Sequence, residues 1–344
     1  MKMKAVVLRA YGGPEELKLE ELPRPTPAPD EALLRVRACG VCHLDMIVRS
    51  GMRSRPKLPL VIGHELSGEI VEVGAAVTDF APGDRVASIN YQVCGECKWC
   101  RVGRPSLCMH PRGEIGQARQ GGYAEYVTIP RANLVRIPEG LRFEHACLGA
   151  CCFAPPYKAL RQVGRLRPGE TVVVTGASGG LGMAAIQIAR FSGARIIGIT
   201  TSPEKAARLK ELGADEVIVN RDGTFGDEVR KLTGGIGADL VVETVGGAIF
   251  PGPLRSLARG GRYVVIGELT GKPVEINLAL VILKEWEIYG VESASREDLN
   301  EILHFMHRTA LQPTIWKTMP LDAAAEAHRL LTNREVIGRI VLTP

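Results

Sequence analysis

Val172-Val173-Val174-Thr175-Gly176-Ala177-Ser178-Gly179-Gly180-Leu181-Gly182 is the stretch from which the fold of this chain is read. An apolar run from Val172 to Thr175 reads as a strand, and the pattern from Gly180 to Phe191 reads as a helix. Between them stand small residues. These let a backbone approach a pyrophosphate, which then lies at the positive end of the helix. The first fingerprint position holds Ala177 instead of glycine. A glycine-rich loop alone is weak evidence, but a strand before it and a helix after it make it a dinucleotide signature.

Downstream, strands and helices keep alternating. Arg195 to Thr200 reads as a strand, Glu204 to Leu212 as a helix, and Glu216–Val219, Leu240–Glu243 and Tyr263–Ile266 as further strands. This rhythm predicts a parallel sheet covered by helices on both faces. Leu280 to Leu283 and Trp286 to Val291 read as apolar strands, followed by helices over Glu297–Thr309 and Ala323–Leu331 and a last strand over Gly338–Leu342. Upstream of residue 153 the texture is different. Val6–Arg9, Glu31–Ala38, Glu69–Val73, Arg85–Ile89 and Ala124–Ile129 are short strand-like runs broken by Gly and Pro.

The tip of the second strand of the alternating half bears on the choice of cofactor. An acid there would bind the adenosine ribose of NAD. The chain instead reads Ile199-Thr200-Thr201-Ser202-Pro203-Glu204-Lys205, with no carboxylate at the tip. The hydroxyls of Thr200, Thr201 and Ser202, together with Lys205 and either Arg208 or Arg221, suit a phosphate. The expectation is NADP(H) in preference to NAD(H).

At 344 residues the chain is long enough for two domains, each with a core. Its 45% hydrophobic and 24% charged residues are ordinary for a globular protein. The net charge of +5 is spread out and forms no basic run, so nucleic acid is not expected as a partner. No apolar stretch is long enough to span a bilayer, and Met1 to Leu8 lacks the features of a secretion signal. The nine cysteines then point to a reducing, cytoplasmic setting.

Cys94, Cys97, Cys100 and Cys108 form a C-x2-C-x2-C-x7-C run in a polar, loop-like segment. Four thiolates at this spacing suit a closed, structural zinc site. A competing reading is a zinc-ribbon-like module that contacts nucleic acid through Lys98, Trp99, Arg101 and Arg104. Cys42, His64 and Cys151 are too far apart for spacing alone to assemble them. Read singly, each fits a core cysteine or a satisfied histidine.

Gly63-His64-Glu65-x2-Gly68-x5-Gly74-x2-Val77 agrees at every fixed position with the motif of zinc-containing alcohol dehydrogenases. With the cysteine run, Gly83-Asp84-Arg85-Val86, Gly121-Gly122-Tyr123-Ala124-Glu125-Tyr126 and the glycine loop, the chain resembles the medium-chain dehydrogenase/reductase superfamily along essentially its whole length. The resemblance implies an α/β protein: a GroES-like β-rich catalytic domain (1–152 and 290–344, with a zinc lobe at 90–110) and a Rossmann doubly wound parallel-sheet domain (153–289). It implies two Zn2+ per chain. Cys42, His64 and Cys151 would hold a catalytic ion with Glu65 as a further or alternating ligand, and the cysteine quartet would hold a structural one. Asp45 would orient His64, and His43 would face the pyrophosphate. The cofactor set would comprise His43, Gly176, Ser178, Gly179, Gly180, Leu181, Gly182, Thr200, Thr201, Ser202, Lys205, Arg221, Thr244, Val245, Gly267 and Glu268.

The chain departs from its well-known relatives at Leu44, where they carry Ser or Thr to start a proton relay; leucine can neither donate nor accept a proton. Phe153-Ala154-Pro155-Pro156 also departs from the usual pattern. His43-Leu44-Asp45 and the glycine loop look instead like the quinone reductase-like branch. Two activities therefore stay open: alcohol dehydrogenation or ketone/aldehyde reduction on an apolar substrate, and reduction of an enone, quinone or acryloyl-type thioester. The resemblance also implies self-association as a homodimer or homotetramer.

Overall fold

The computed structural model describes residues 1–52, 56–309 and 311–344. Contacts divide the chain into two compact units, Met1–Ala154 with Ser293–Pro344, and Pro155–Glu292.

The first unit is β-rich. Its larger sheet runs in the order Leu134–Arg136, Arg85–Ser88, Glu65–Val73, Glu31–Val41, Arg339–Thr343, Ile315–Pro320, with Tyr126–Pro130 also paired to Glu31–Val41. Glu31–Val41 organises this sheet: one edge pairs with Glu65–Val73, and the other is shared by Tyr126–Pro130 and the C-terminal Arg339–Thr343. The C-terminal strand thus completes a sheet begun near the N-terminus. A smaller sheet pairs Lys2–Leu8 with Leu17–Pro23 and Leu60–Val61. Leu34, Leu66, Ile70, Ile129 and Leu342 are among the side chains that fill the core. The first strand begins at Lys2, four residues before the start read from the sequence, because its exposed lysines alternate with buried Met3 and Ala5.

The second unit is a six-stranded parallel sheet in the order Glu216–Val219, Arg195–Thr200, Thr171–Val174, Ala238–Glu243, Leu257–Val265, Glu287–Gly290. Counted along the chain this is 3-2-1-4-5-6, the doubly wound dinucleotide-binding order, which reverses between Thr171–Val174 and Ala238–Glu243. Val172, Val173 and Val174 are all fully buried, as expected of a central strand covered on both faces. The Gly180–Phe191 helix follows, buried over most of its circumference.

Two local readings are corrected. Residues 280–283 lie in a helix, Leu278–Lys284, and not in a strand. Asn277 caps it, its Oδ1 accepting the Ala279 N–H at 3.0 Å, and this local signal outweighs the β-branched character of Val281 and Ile282. The cysteine lobe, expected as loop throughout, contains one helical turn at Lys98–Arg101 and a 3-10 turn at Pro105–Leu107.

Candidate active site

Cys42 caps the His43–Ser50 helix, and Asp45 in the first turn accepts the Cys42 backbone N–H on Oδ2 at 3.0 Å. Local capping thus fixes the carboxylate. Its other oxygen, Oδ1, lies 2.9 Å from His64 Nδ1, with both side chains 1% exposed. His64 itself is held by its neighbour Gly63. That glycine has φ +96°, and a Cβ there would run into the Tyr123 ring.

Because Asp45 engages Nδ1, His64 Nε2 is left buried with no protein partner among the described residues. A buried orphan nitrogen calls for a ligand. One donor atom from each of Cys42, His64, Glu65 and Cys151 lies within 4.8 Å of the other three. Cys151 reaches the group from a π-helical turn, Gly149–Phe153, within a longer helical run that the sequence pattern did not disclose. Glu65 heads the Glu65–Val73 strand. Its Oε1 accepts from Arg339 at 2.9 Å, while Oε2 has no partner among the described residues. Two thiols, an imidazole lone pair and a carboxylate oxygen fit a zinc ion in donor type and in proximity.

The electrostatics fit the same picture. The Cys42 thiol is held well below its ordinary value, first by its hydrogen bond with Cys151 and, against burial, by the Arg339 charge and His64. That same bond, then burial, pushes the Cys151 thiol up. Burial raises Glu65 to about 7, although Arg339 pulls it down. His43 is partly buried, and desolvation lowers its imidazole. Leu44 is half-buried and packs against the apolar core.

The cysteine quartet also comes together. Cys97 Sγ lies 3.5 Å from Cys100 Sγ, Cys108 Sγ lies 3.5 Å from Cys94 Sγ, and all four donors lie within 4.8 Å of one another. Backbone N–H groups of Cys94 and Cys97 point at neighbouring sulfurs at 3.3 and 3.4 Å. Such donors favour thiolate: Cys97 falls to about 6, with the backbone at Met109 the largest cause. Burial sends Cys100 the other way, to about 12. All nine cysteines are free, so no disulfide competes for these thiols.

In the second unit the glycine loop lies at the carboxyl end of the central strand, and Gly179 caps the following helix. A Cβ on Gly182 would come within 2.6 Å of Ala177 Cα, so the helix packs on its own loop only without a side chain there. Thr200 Oγ1 donates to Ser178 Oγ at 3.3 Å, and Arg221 Nε donates to the Thr201 carbonyl at 3.0 Å. Ser178, Thr200, Thr201 and Arg221 therefore gather at one strand tip. Ser202 caps the Pro203–Leu212 helix, whose first turn carries Lys205. Arg208 turns along its own helix to Glu211 at 2.8 Å.

Thr244 is locked to Thr175, its N–H donating to Thr175 Oγ1 at 2.9 Å and its Oγ1 to the Thr175 carbonyl at 2.8 Å. Glu268 accepts on Oε1 from the backbone of Thr270 at 2.6 Å and Gly271 at 2.9 Å, and on Oε2 from that of Gly247 at 2.7 Å, so it ties its own loop to the one that follows Thr244 and Val245. Reasoning from sequence missed Glu243. Fully buried, it accepts from Thr175 Oγ1 at 2.8 Å and from the N–H groups of Val245 at 2.6 Å and Gly246 at 2.8 Å, holding the loop that carries Thr244 and Val245. It also missed Arg339, which lies 274 positions from Glu65 with no motif to connect the two.

Residues 28–139 match the family model described as the alcohol dehydrogenase GroES-like domain, and residues 180–308 match that of the zinc-binding dehydrogenases. The chain is 37% identical to an acryloyl-coenzyme A reductase of Sulfurisphaera tokodaii, covering 99% of this chain and all of the relative. It is 36% identical to an NAD-dependent alcohol dehydrogenase of the same organism, again over 99% of this chain and all of the relative. Among solved structures, that of AibC superposes with a TM-score of 0.94 at 44% identity, covering 100% of this chain and 96% of that one. On these matches the chain belongs to the zinc-type alcohol dehydrogenase family of the medium-chain dehydrogenase/reductase superfamily.

Proposed function

We propose that this chain is an NADP(H)-dependent, zinc-containing alcohol dehydrogenase or ketone/aldehyde reductase. The observation that carries the proposal is the cluster of buried Cys42, His64 and Glu65 with half-buried Cys151, in which His64 Nε2 has no partner among the described residues. The chemistry supplied by a bound zinc is Lewis-acid polarisation of a substrate oxygen, and that supplied by a bound nicotinamide is hydride exchange with the carbon. Cys42, His64 and Cys151 hold the metal, and Asp45 keeps the His64 lone pair turned into the cluster. Glu65, whose Oε1 accepts from Arg339, adds a carboxylate to the cluster. Leu44 offers no hydroxyl, so proton exchange with solvent would run through water, the cofactor ribose or the adjacent His43, whose imidazole is lowered by burial.

The preference for NADP(H) rests on the strand tip, where hydroxyls and Arg221 gather and the carboxylate present, Glu204, lies in the first turn of the following helix and accepts from Ser202 Oγ. Both cofactors occur among the relatives: a zinc-binding dehydrogenase from Sinorhizobium meliloti, 29% identical, was solved bound to NADP, whereas the 36% identical alcohol dehydrogenase of Sulfurisphaera tokodaii is NAD-dependent. The ratio of Michaelis constants for the two cofactors tests it, and a large preference for NAD(H) overturns it.

A second reading is reduction of the carbon–carbon double bond of an enone, quinone or acryloyl-type thioester. Two observations favour it: Leu44, and the acryloyl-coenzyme A reductases among the relatives. Here hydride adds to the β-carbon and a proton from solvent to the α-carbon, so no hydroxyl beside the metal is needed. The deciding experiment supplies NADPH with a saturated ketone and, separately, with its enone and an acryloyl thioester, followed by product identification. An alcohol product supports the first reading and a saturated carbonyl product the second. No oxidation of NADPH with any of them overturns both.

A further inference from the structure

Beyond Asp45 the structure holds a buried polar chain that runs away from the metal cluster. Tyr123 Oη lies 3.3 Å from Asp45 Oδ2 and 3.1 Å from His328 Nε2, and His328 Nδ1 lies 3.3 Å from Arg49 Nη1. Tyr123 and His328 are fully buried, Asp45 is 1% exposed and Arg49 6%. The residues come from distant parts of the chain: the His43–Ser50 helix, the segment before Tyr126–Pro130, and the Ala324–Thr332 helix.

Both ends of this chain have a fixed polarity. A guanidinium has only donors, so His328 Nδ1 must be the acceptor and its proton sits on Nε2. Burial lowers His328 to about 4, so the ring is neutral and carries that one proton. Its Nε2–H therefore donates to Tyr123 Oη, and the tyrosine proton must go to Asp45. Read from the other end, Asp45 Oδ2 accepts the Cys42 backbone N–H and stands within reach of the Tyr123 hydroxyl, which gives the same directions. Asp45 then receives on Oδ2 from Cys42 N–H and Tyr123 O–H, leaving Oδ1 to accept the Nδ1 proton of His64.

We propose that Tyr123, His328 and Arg49 are positioning residues: a one-directional hydrogen-bond chain that holds Asp45 and thereby keeps His64 in the tautomer whose Nε2 lone pair faces the metal cluster. The proposal rests on the zinc reading of that cluster. It assigns a role to a histidine and an arginine that no motif marked, and it makes the C-terminal helix part of the metal site.

Glutamine supplies the distinguishing substitution. Like imidazole it carries an acceptor and a donor side by side, so His328→Gln can accept from Arg49 and donate to Tyr123, whereas His328→Leu can do neither. The measurement is zinc affinity of each of the two sites in the reduced, metal-free protein, by competition with a chromophoric chelator. The quartet serves as the internal control. Long-range 15N–1H spectra report the His64 tautomer independently of activity when recorded at alkaline pH, because Asp45, against burial, holds the His64 imidazole well above its ordinary value in the metal-free protein.

The expected result is that His328→Gln stays within about threefold of wild type. His328→Leu and Tyr123→Phe should weaken the Cys42–His64–Cys151 site by about 10- to 100-fold, leave the quartet unchanged, and give His64 a mixture of tautomers. Tyr123→Phe, which removes one oxygen atom, carries the test if His328→Leu does not fold. Wild-type affinity in Tyr123→Phe, or equal losses in His328→Gln and His328→Leu, overturns the chain while the metal reading stands. A wild-type protein that binds zinc only at the quartet overturns both.

Discussion

At the scale of single residues, the buried Arg339–Glu65 pair is the most exposed to test. Removing one member of a buried pair leaves the other charge without compensation, which costs about 3–5 kcal/mol. In the metal-free protein Arg339→Met should cost about 3 kcal/mol at pH 8. The cost should shrink as pH falls from about 8 to about 6, because Glu65 of the wild type then takes up its proton near pH 7 and loses its charge pairing with Arg339, whereas without the arginine it is protonated already at higher pH. Denaturant unfolding at the two pH values measures this, and a loss independent of pH would mean that the arginine acts by packing alone. His328 has the opposite sign. Its folded-state value near 4 lies below its ordinary 6.5, so the unfolded chain takes up the proton first as pH falls. Stability present above about pH 6.5 is lost as pH falls towards 4, by about 3 kcal/mol in all. His328→Gln should remove that part of the slope, and identical pH–stability curves for the two proteins would contradict the assignment. Residue types at the metal cluster were legible in the sequence. Their partners Arg339, His328 and Arg49 were not, because a buried arginine or histidine looks in sequence like any other.

At the scale of elements, the glycine loop behaved as its local pattern required. A run of valines, small residues and a helix is a complete local unit, and its strand and helix lie within a residue of where the sequence placed them. The loop works because the helix can touch it. Gly182→Val should push the Gly180–Phe191 helix off Ala177, weaken NADPH binding by at least about tenfold and destabilise the fold by about 1–3 kcal/mol. Titration of NADPH fluorescence and thermal unfolding report these separately, and unchanged binding would mean that the loop does not cradle the cofactor. Leu278–Lys284 shows the limit of local reading. Its apolar, partly β-branched composition suggested a strand, but the Asn277 cap started a helix.

At the scale of the whole molecule, that helix bears on assembly. Leu278, Ile282 and Leu283 are 72, 75 and 63% exposed, an unusual apolar display beside the edge strand Glu287–Gly290. We propose that a second copy of the chain covers this face. Ile282→Lys should then raise the dissociation constant of the oligomer by about tenfold or more and leave the monomer folded. Sedimentation velocity over a concentration series reads this directly, and a wild-type protein that sediments as a monomer throughout would remove the proposal.

The sequence by itself determined the two kinds of domain, the dinucleotide loop and the cysteine quartet. In each the decisive residues are neighbours in the chain, so spacing carries the geometry. Only the tertiary structure decided that Cys42, His64, Glu65 and Cys151 share one buried point, and that a strand and a helix from the C-terminal stretch complete the surroundings. Glu31–Val41 brings these parts together by pairing at once with Glu65–Val73 and Arg339–Thr343. Sheet pairing between distant segments leaves little periodic trace in either one, so the candidate metal site was readable as a set of residues and became a place only once the sheet had closed.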